Sequence, residues 1–178
     1  QEVLPVQLKF LVRPAVLRSS AMNGTPANWS AEDEHFMPLA IEQAQGALAH
    51  DDVPIGAVVA LGGDAIGVGR NERELLQDPT AHAEVLALRR AAEAVGSWRV
   101  LGATLYVTLE PCSMCAGAIV LSRIPHVVFG ATDPKAGACG SVLDITGEPR
   151  FNHRPDVRGG LMADACGELL RAFFAARR

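Results

Sequence analysis

The tightest constraint on this chain is chemical. The string His82-Ala83-Glu84 is followed, across one β-rich segment, by Pro111-Cys112-Ser113-Met114-Cys115. Two cysteines spaced Cys-x2-Cys can deliver both thiolates to one ion from a single tight turn or helix start. Imidazole with two thiolates is a zinc set, and three protein ligands leave the fourth tetrahedral position open for water. The candidate ligands are therefore His82, Cys112 and Cys115. Both segments read as helix N-termini, where the helix dipole favours thiolate and other negative charge. Glu84 stands two residues beyond His82, placed to carry the proton that metal-assisted water chemistry must move. Residues two apart do not share a helix face, so His82 and Glu84 meet at one centre only if the helix points end-on at the metal. Taken singly the signals are weak, since Cys-x2-Cys is common and a lone histidine is usually structural; their conjunction is the constraint.

The flanking sequence alternates helix and strand. Ser30 is a helix cap with Glu32, Asp33 and Glu34 in the first turn. Phe36, Leu39, Ala40, Ala44, Ala47 and Leu48 then recur at helical spacing to about residue 49, where Asp51-Asp52 ends the helix. Val53 to Leu61 reads as a buried strand, Gly62-Gly63-Asp64 as a hairpin turn, and Ala65 to Gly69 as its partner. Asp78-Pro79-Thr80 predicts a helix start; that helix buries Val85, Leu86, Leu88, Ala92 and Val95 and stops at Gly96. Thr104 to Leu109 is a strand, Cys112 to Leu121 a helix and Val127 to Gly130 a strand, a βαβ unit that forces a parallel pair. Asp133 to Gly140 is a loop. A last strand falls around Arg154 to Val157, with Pro155 placing it at an edge, and Leu161 to Ala176 is an amphipathic helix. The fold class is α/β, a three-layer α/β/α arrangement with a mixed, mostly parallel central sheet.

With 178 residues, about half of them hydrophobic, the chain has one domain's length and can bury a real core. Its apolar runs are far too short to span a bilayer. Four cysteines, two of them clustered, suit a reducing compartment and a metal better than a disulfide scaffold, hence a cytoplasmic protein. Residues 1–29, with Pro5, Pro14 and Pro26, read as a flexible extension, tag or leader, and residues 30–178 as the folded domain. The net charge of −4 hides an asymmetry: Ser30 to Glu84 holds eleven acidic residues against two basic ones, whereas Arg123 to Arg178 holds eight basic against six acidic. A polyanion can find a basic C-terminal face here, although a merely solvated surface explains the same charges.

The order His-x-Glu…Pro-Cys-x-x-Cys matches the zinc-deaminase signature. Asn71, Asp78 to Glu84, Thr104 to Cys112, Cys115-Ala116-Gly117-Ala118, Ser122-Arg123-Ile124, Val127 to Ala131, Asp133-Pro134-Lys135-Ala136-Gly137 and Asn152-His153-Arg154 extend the likeness. From about Glu34 to Arg178 the chain resembles the bacterial tRNA-specific adenosine deaminases, the TadA family within the cytidine-deaminase-like zinc deaminases. The Asp-Pro-Lys-Ala-Gly loop is the discriminating piece. The resemblance implies hydrolytic deamination of adenosine to inosine at the wobble position of a tRNA anticodon, by a zinc-bound hydroxide, with one zinc per chain. Zinc lowers the pKa of bound water toward ~7, and Glu84 shuttles the proton. Asn71 and the backbone of Ala83 are implied to hold the flipped base. Asp133 and Lys135 line the pocket mouth, with Asn152 and His153 on the same rim. Phe173 or Phe174, with Arg177 and Arg178, reaches the anticodon stem-loop. The family is homodimeric, and the helix from Cys112 to Leu121 is a candidate interface. Read as residues alone, Asn71 is equally a turn residue, Asp133 and Lys135 a salt-bridged loop, and the two phenylalanines core.

Two other readings share these residues. A free nucleobase deaminase, for guanine or cytosine, keeps the same zinc site and differs in its base contacts. A structural zinc module would recruit Cys139 or Cys166 as a fourth ligand, but would have no use for Glu84. Otherwise Cys139 and Cys166 are free thiols, Trp29, Trp98 and Met114 are packing residues, and Glu110 carries no assigned role.

Overall fold

The computed structural model describes residues 28–177. The expected extension therefore lies outside the described residues except for Asn28 and Trp29, as does Arg178. Helix α1 (Ala31–Ala47) begins in a capping box in which the Ser30 hydroxyl accepts from the Asp33 amide and the Asp33 carboxylate accepts from the Ser30 amide. A short 3-10 turn (Leu48–His50) follows, and Asp51 ends it in the left-handed conformation, which aspartate tolerates better than most residues. Strands β1 (Gly56–Leu61) and β2 (Asp64–Arg70) form a hairpin. Its turn residues Gly62 and Gly63 both have positive φ, the geometry a two-residue hairpin needs.

Helix α2 (Arg73–Leu76) is a single turn, and α3 (Ala83–Ala94) leads to strand β3 (Thr104–Leu109). Helix α4 (Ser113–Ser122), strands β4 (His126–Ala131) and β5 (Asp156–Gly159), and helix α5 (Ala163–Ala175) complete the fold. The sheet order is β2-β1-β3-β4-β5. Strand β1 runs against both neighbours, while β3, β4 and β5 are parallel, so four of the five strands point one way and β5 is an edge.

Alternation along the strands builds two cores. Ala57, Val59, Leu105, Val107, Val127 and Phe129 face one side, against residues of α3 and α4 such as Leu88 and Ile119. Val58, Ala60, Tyr106 and Val128 face the other, against Phe36, Met37 and Ala40 of α1 and Cys166 of α5. The three-layer expectation is met. An ion pair with a buried carboxylate and a partly exposed guanidinium stitches the second layer: Arg158 on β5 donates to Asp33 on α1 at 2.9 and 3.0 Å, and the Tyr106 hydroxyl donates to the same carboxylate at 3.1 Å. Trp29 packs on this layer beneath the Arg158 guanidinium.

Four local expectations are corrected. β1 starts at Gly56 rather than Val53, because Pro54 has no amide to give to a ladder and the Ile55 amide turns back to the Val53 carbonyl. Asp78 caps no helix: its carboxylate accepts from the Thr80 amide and hydroxyl in a local turn, and α3 starts five residues later with His82 at its N-cap. The buried stripe of α3 is Ala83, Ala87 and Ala91 with Leu86 and Leu88, whereas Val95 is exposed and Val85 and Ala92 are half-buried. Trp98 is exposed, with the Arg99 guanidinium stacked on its ring. No helix among the described residues is long and apolar enough to cross a membrane.

Candidate metal centre and active site

Two helix N-termini meet end-on. His82 is the N-cap of α3 and Cys112 the N-cap of α4; both have extended backbones and side chains free of capping bonds. Cys115 lies in the first turn of α4 and Glu84 in the first turn of α3. This end-on approach answers the objection that residues two apart do not share a face.

The His82 Nδ1 lies 3.6 Å from the Cys112 Sγ and 3.5 Å from the Cys115 Sγ. Zinc bonds of about 2.3 Å to sulfur and 2.0–2.1 Å to nitrogen, at the tetrahedral angle, place N and S about 3.6 Å apart. The donor set and its spacing thus fit zinc through Nδ1 and two sulfurs. Among the described residues this group has three members, with all ligand atoms within 4.8 Å of one another.

The electrostatics are those of a centre built for a cation. A hydrogen bond from Cys115, with further help from His82, holds the Cys112 thiol down to about 3. The same Cys112–Cys115 bond, together with burial, pushes Cys115 well up. His82 is raised, first by its bond to Cys112. Glu84 is 4 % exposed; burial raises its pKa above the ordinary carboxylate range, and the neighbouring Cys112 charge adds to this while His82 opposes it. A raised pKa brings a carboxyl closer to what an acid–base group needs, which is to take a proton as well as give one.

Around this centre the other expected residues distribute unevenly. Ala83 is fully buried, and as the first residue of α3 its amide has no intrahelical partner. Asn71 is buried at the end of β2 and lines a cleft of about 400 Å³ with Arg73, Asp51, Phe173 and Arg177. Gly137, in the loop of Asp133 and Lys135, pairs with Cys112 in an isolated bridge, and the Ala138 amide donates to the Pro111 carbonyl. The Asp133 carboxylate turns back on its own loop, accepting from the Lys135 and Ala136 amides. Lys135 is exposed and forms no ion pair with the described residues.

The structure does not bring Asn152 and His153 to the cluster. Asn152 accepts from Arg123 and His153 bonds the Ile124 carbonyl. Both partners follow the C-terminus of α4, about 15 Å along that ten-residue helix from the metal ligands. Phe173 is buried and carries the Arg177 guanidinium on its ring at 3.4 Å, whereas Phe174 is exposed. Arg177 also pairs with Asp51.

Sequence reasoning missed Asp51 and Arg73 as cleft residues. It also missed Asp52, which accepts from the Glu74 and Leu75 amides and so caps α2 from outside. Only proximity in the fold reveals such contacts. Cys139 and Cys166 stay out of the cluster; burial pushes their thiols up to about 12 and about 11. A larger, shallow cleft of about 590 Å³ lies at the opposite ends of β3 and β4, with Glu32, His35 and His126 on its walls. Neither cleft is lined by His82, Cys112 or Cys115; of the expected site residues, Asn71 and Arg177 line the smaller one.

A three-ligand centre at the carboxyl end of a parallel strand pair, with a buried carboxyl beside it, defines a zinc-type hydrolytic deaminase. The family model of MafB19-like deaminases matches residues 31–178. A tRNA-specific adenosine deaminase of Bacillus subtilis is 50 % identical over 147 residues, which cover 83 % of this chain and 91 % of the relative. A chain solved in a study of A-to-I editing by tRNA:A34 deaminases at the wobble position of transfer RNA is 47 % identical with a TM-score of 0.74; the match covers 77 % of this chain and 99 % of that one. A guanine deaminase from Nitrosomonas europaea is more distant, at 27 % identity and a TM-score of 0.67, over 78 % of this chain and 82 % of the other. This chain belongs to the tRNA-specific adenosine deaminase family.

Proposed function

We propose that the protein converts adenosine to inosine at the wobble position of a tRNA anticodon by hydrolytic deamination. The observation that carries the reading is the three-ligand centre with Glu84 buried beside it. A fourth ligand would close the site, and none is present among the described residues. His82 through Nδ1, Cys112 and Cys115 hold one zinc per chain. Zinc, when bound, supplies the Lewis acidity that makes water nucleophilic at neutral pH.

The residues of the chain do the rest. Glu84 takes a proton from the attacking water and passes it to the adenine N1 as the water oxygen bonds to C6; it then takes the remaining proton of that hydroxyl and gives it to the exocyclic nitrogen, so that the C6–N6 bond breaks, C6 becomes a carbonyl and ammonia leaves. Its raised pKa suits both transfers. Asn71 and the Ala83 amide face the base, and burial of both limits the water that competes for their hydrogen bonds. Lys135, Phe174 and Arg177 offer charge and an aromatic face to flanking nucleotides; Asn152 and His153 belong to a more distant part of the same surface, and Arg178 to its end. Identity to a tRNA deaminase well above that to the guanine deaminase supports an RNA substrate over a free base. The likeness to the tRNA deaminases is the support for a homodimer in the cytoplasm.

The test is ammonia release from an anticodon stem-loop with adenosine at the wobble position, run beside free adenosine, guanine and cytosine and beside Glu84→Ala. The stem-loop is deaminated and the free compounds are not, and Glu84→Ala keeps its zinc while losing nearly all turnover. Turnover of free guanine without turnover of the stem-loop replaces this reading with a free-base deaminase.

A further inference from the structure

Glu110 is 2 % exposed, immediately ahead of Pro111-Cys112, and no cation pairs with it among the described residues. Its carboxylate is spent on one loop. Oε2 accepts from the Asp133 amide at 3.1 Å and from the Ser141 hydroxyl; Oε1 accepts from the Cys139 amide at 3.1 Å and the Ser141 amide at 3.0 Å. All four contacts are donors, and a carboxylate is the side chain that accepts at both oxygens. The loop passes so close that a Cβ on Gly137 would fall 2.5 Å from the carboxylate and 2.6 Å from the Asp133 carbonyl. The loop's backbone is also tied to Pro111 and Cys112 by the bridge at Gly137 and the bond from Ala138.

We propose that Glu110 is a positioning residue for the reaction: it holds the 133–141 loop in register with the metal-ligating segment, and so sets where Lys135 meets the nucleotides beside the reacting base. The inference rests on the RNA reading above. Glu110 touches neither base nor metal in this account. Its loss acts through the loop, on substrate engagement rather than on the chemical step. Glutamine replaces it poorly, because its amide nitrogen would confront two backbone donors at the Oε1 position, and one backbone donor at the Oε2 position, where the Ser141 hydroxyl would have to turn and accept.

The experiment compares wild type, Glu110→Gln and Ser141→Ala, with Glu93→Gln as an exposed carboxylate control. It reads zinc content, kcat and KM on the anticodon stem-loop, and amide hydrogen exchange across 133–141. Glu110→Gln keeps one zinc per chain, speeds exchange of the loop amides, and raises KM about tenfold, as expected for loss of one charge-assisted hydrogen bond, while kcat stays within about threefold. Ser141→Ala moves exchange and KM the same way by a smaller factor. Unchanged loop exchange in Glu110→Gln overturns the proposal, as does zinc loss with a fall in kcat at constant KM, which would make Glu110 a support for Cys112. If Glu110→Gln yields no folded protein, Ser141→Ala decides: raised KM with faster loop exchange upholds the proposal, and no change in either overturns it. Exchange needs no substrate, so failure of the RNA reading shows separately, as a wild type inactive on the stem-loop.

Discussion

Gly69→Ala should damage catalysis more than stability. Strand β2 lies against α3 through two glycines on the same face. An alanine Cβ at 69 would sit 2.2 Å from the Ala83 carbonyl oxygen and 2.7 Å from the Ala87 nitrogen; one at 67 would sit 2.3 Å from the Ala87 carbonyl oxygen. Ordinary contact begins at 3.4 Å, so the first turn of α3 must retreat by roughly 1 Å in Gly69→Ala, a shift of the size that costs about 100-fold when it misplaces reacting groups. That turn carries Ala83, between His82, the proposed metal ligand, and Glu84, the proposed proton carrier. Overpacking itself costs about 1–3 kcal/mol, or roughly 2–10 °C in Tm for a domain of this size. Gly67→Ala imposes the same overpacking one turn further from the site. The assay is Tm, zinc content and kcat/KM on the stem-loop at 20 °C for both variants. Both melt lower by similar amounts, but Gly69→Ala loses about 100-fold in kcat/KM and Gly67→Ala under tenfold. Equal activity losses in the two would mean that lowered stability, not displacement of the α3 N-terminus, governs the effect, and the reasoning would fail.

Two further outcomes are expected. Burial raises the Asp33 pKa, but the Ser30 amide, the Arg158 guanidinium and the Ser30 hydroxyl outweigh it, so the net shift is downward; the pair stabilises the fold above the unfolded carboxyl pKa of about 3.9 and is lost as pH falls through the lower folded value. Asp33→Asn therefore costs about 2 kcal/mol in urea melts at pH 7, discounted from a fully buried pair because Arg158 is partly exposed, and the gap to wild type narrows below about pH 4; a gap constant from pH 7 to pH 3 contradicts this. Arg177→Ala weakens stem-loop binding and lowers the slope of log K against log salt by about 0.7, and Asp51→Asn, which frees Arg177 from its carboxylate partner, tightens binding at low salt; an unchanged salt slope in Arg177→Ala removes that residue from the RNA contact.

The cluster of His82, Cys112 and Cys115 was legible in the sequence because its signal is local chemistry: donor types at fixed spacing, each next to a helix-start pattern. The order of strands and helices was legible for the same reason, since β1, β3 and β4 read as apolar runs bounded by breakers. What escaped was decided by partners far along the chain. Asp78 looked like a helix cap, but its side chain closes a local turn, and α3 starts after the extended His82, whose ring meets Cys112 and Cys115. The single turn α2 has no cap of its own and depends on Asp52, more than twenty residues earlier. Periodicity marked Val95 for the core, yet α3 buries its alanine stripe because Gly67 and Gly69 let that face lie closest to the sheet. Phe173 and Phe174 were indistinguishable in sequence; position on α5 sends the first into the core and the second to solvent.

The topology explains why the ligands are so compact in sequence while the rim is dispersed. In the β3-α4-β4 crossover, the helix must start where β3 ends, so a Pro-Cys-x-x-Cys placed directly after the strand reaches a helix N-terminus with no further device. The parallel neighbour β4 ends at the same edge, and the segment leaving it has to cross the mouth of that site. Open α/β sheets bind ligands at this carboxyl edge for that reason. The chemistry therefore needs only residues from two helix starts, whereas substrate contacts come from whatever chain departs the edge. A loop departing from there is free to vary unless something fixes it, and in this protein the fixing group is Glu110, which directly follows β3, stands two residues ahead of Cys112 and binds the loop's amides. The loop is thereby registered against the segment that carries Cys112, so a change at Glu110 is expected to displace the loop while His82, Cys112 and Cys115 keep their arrangement.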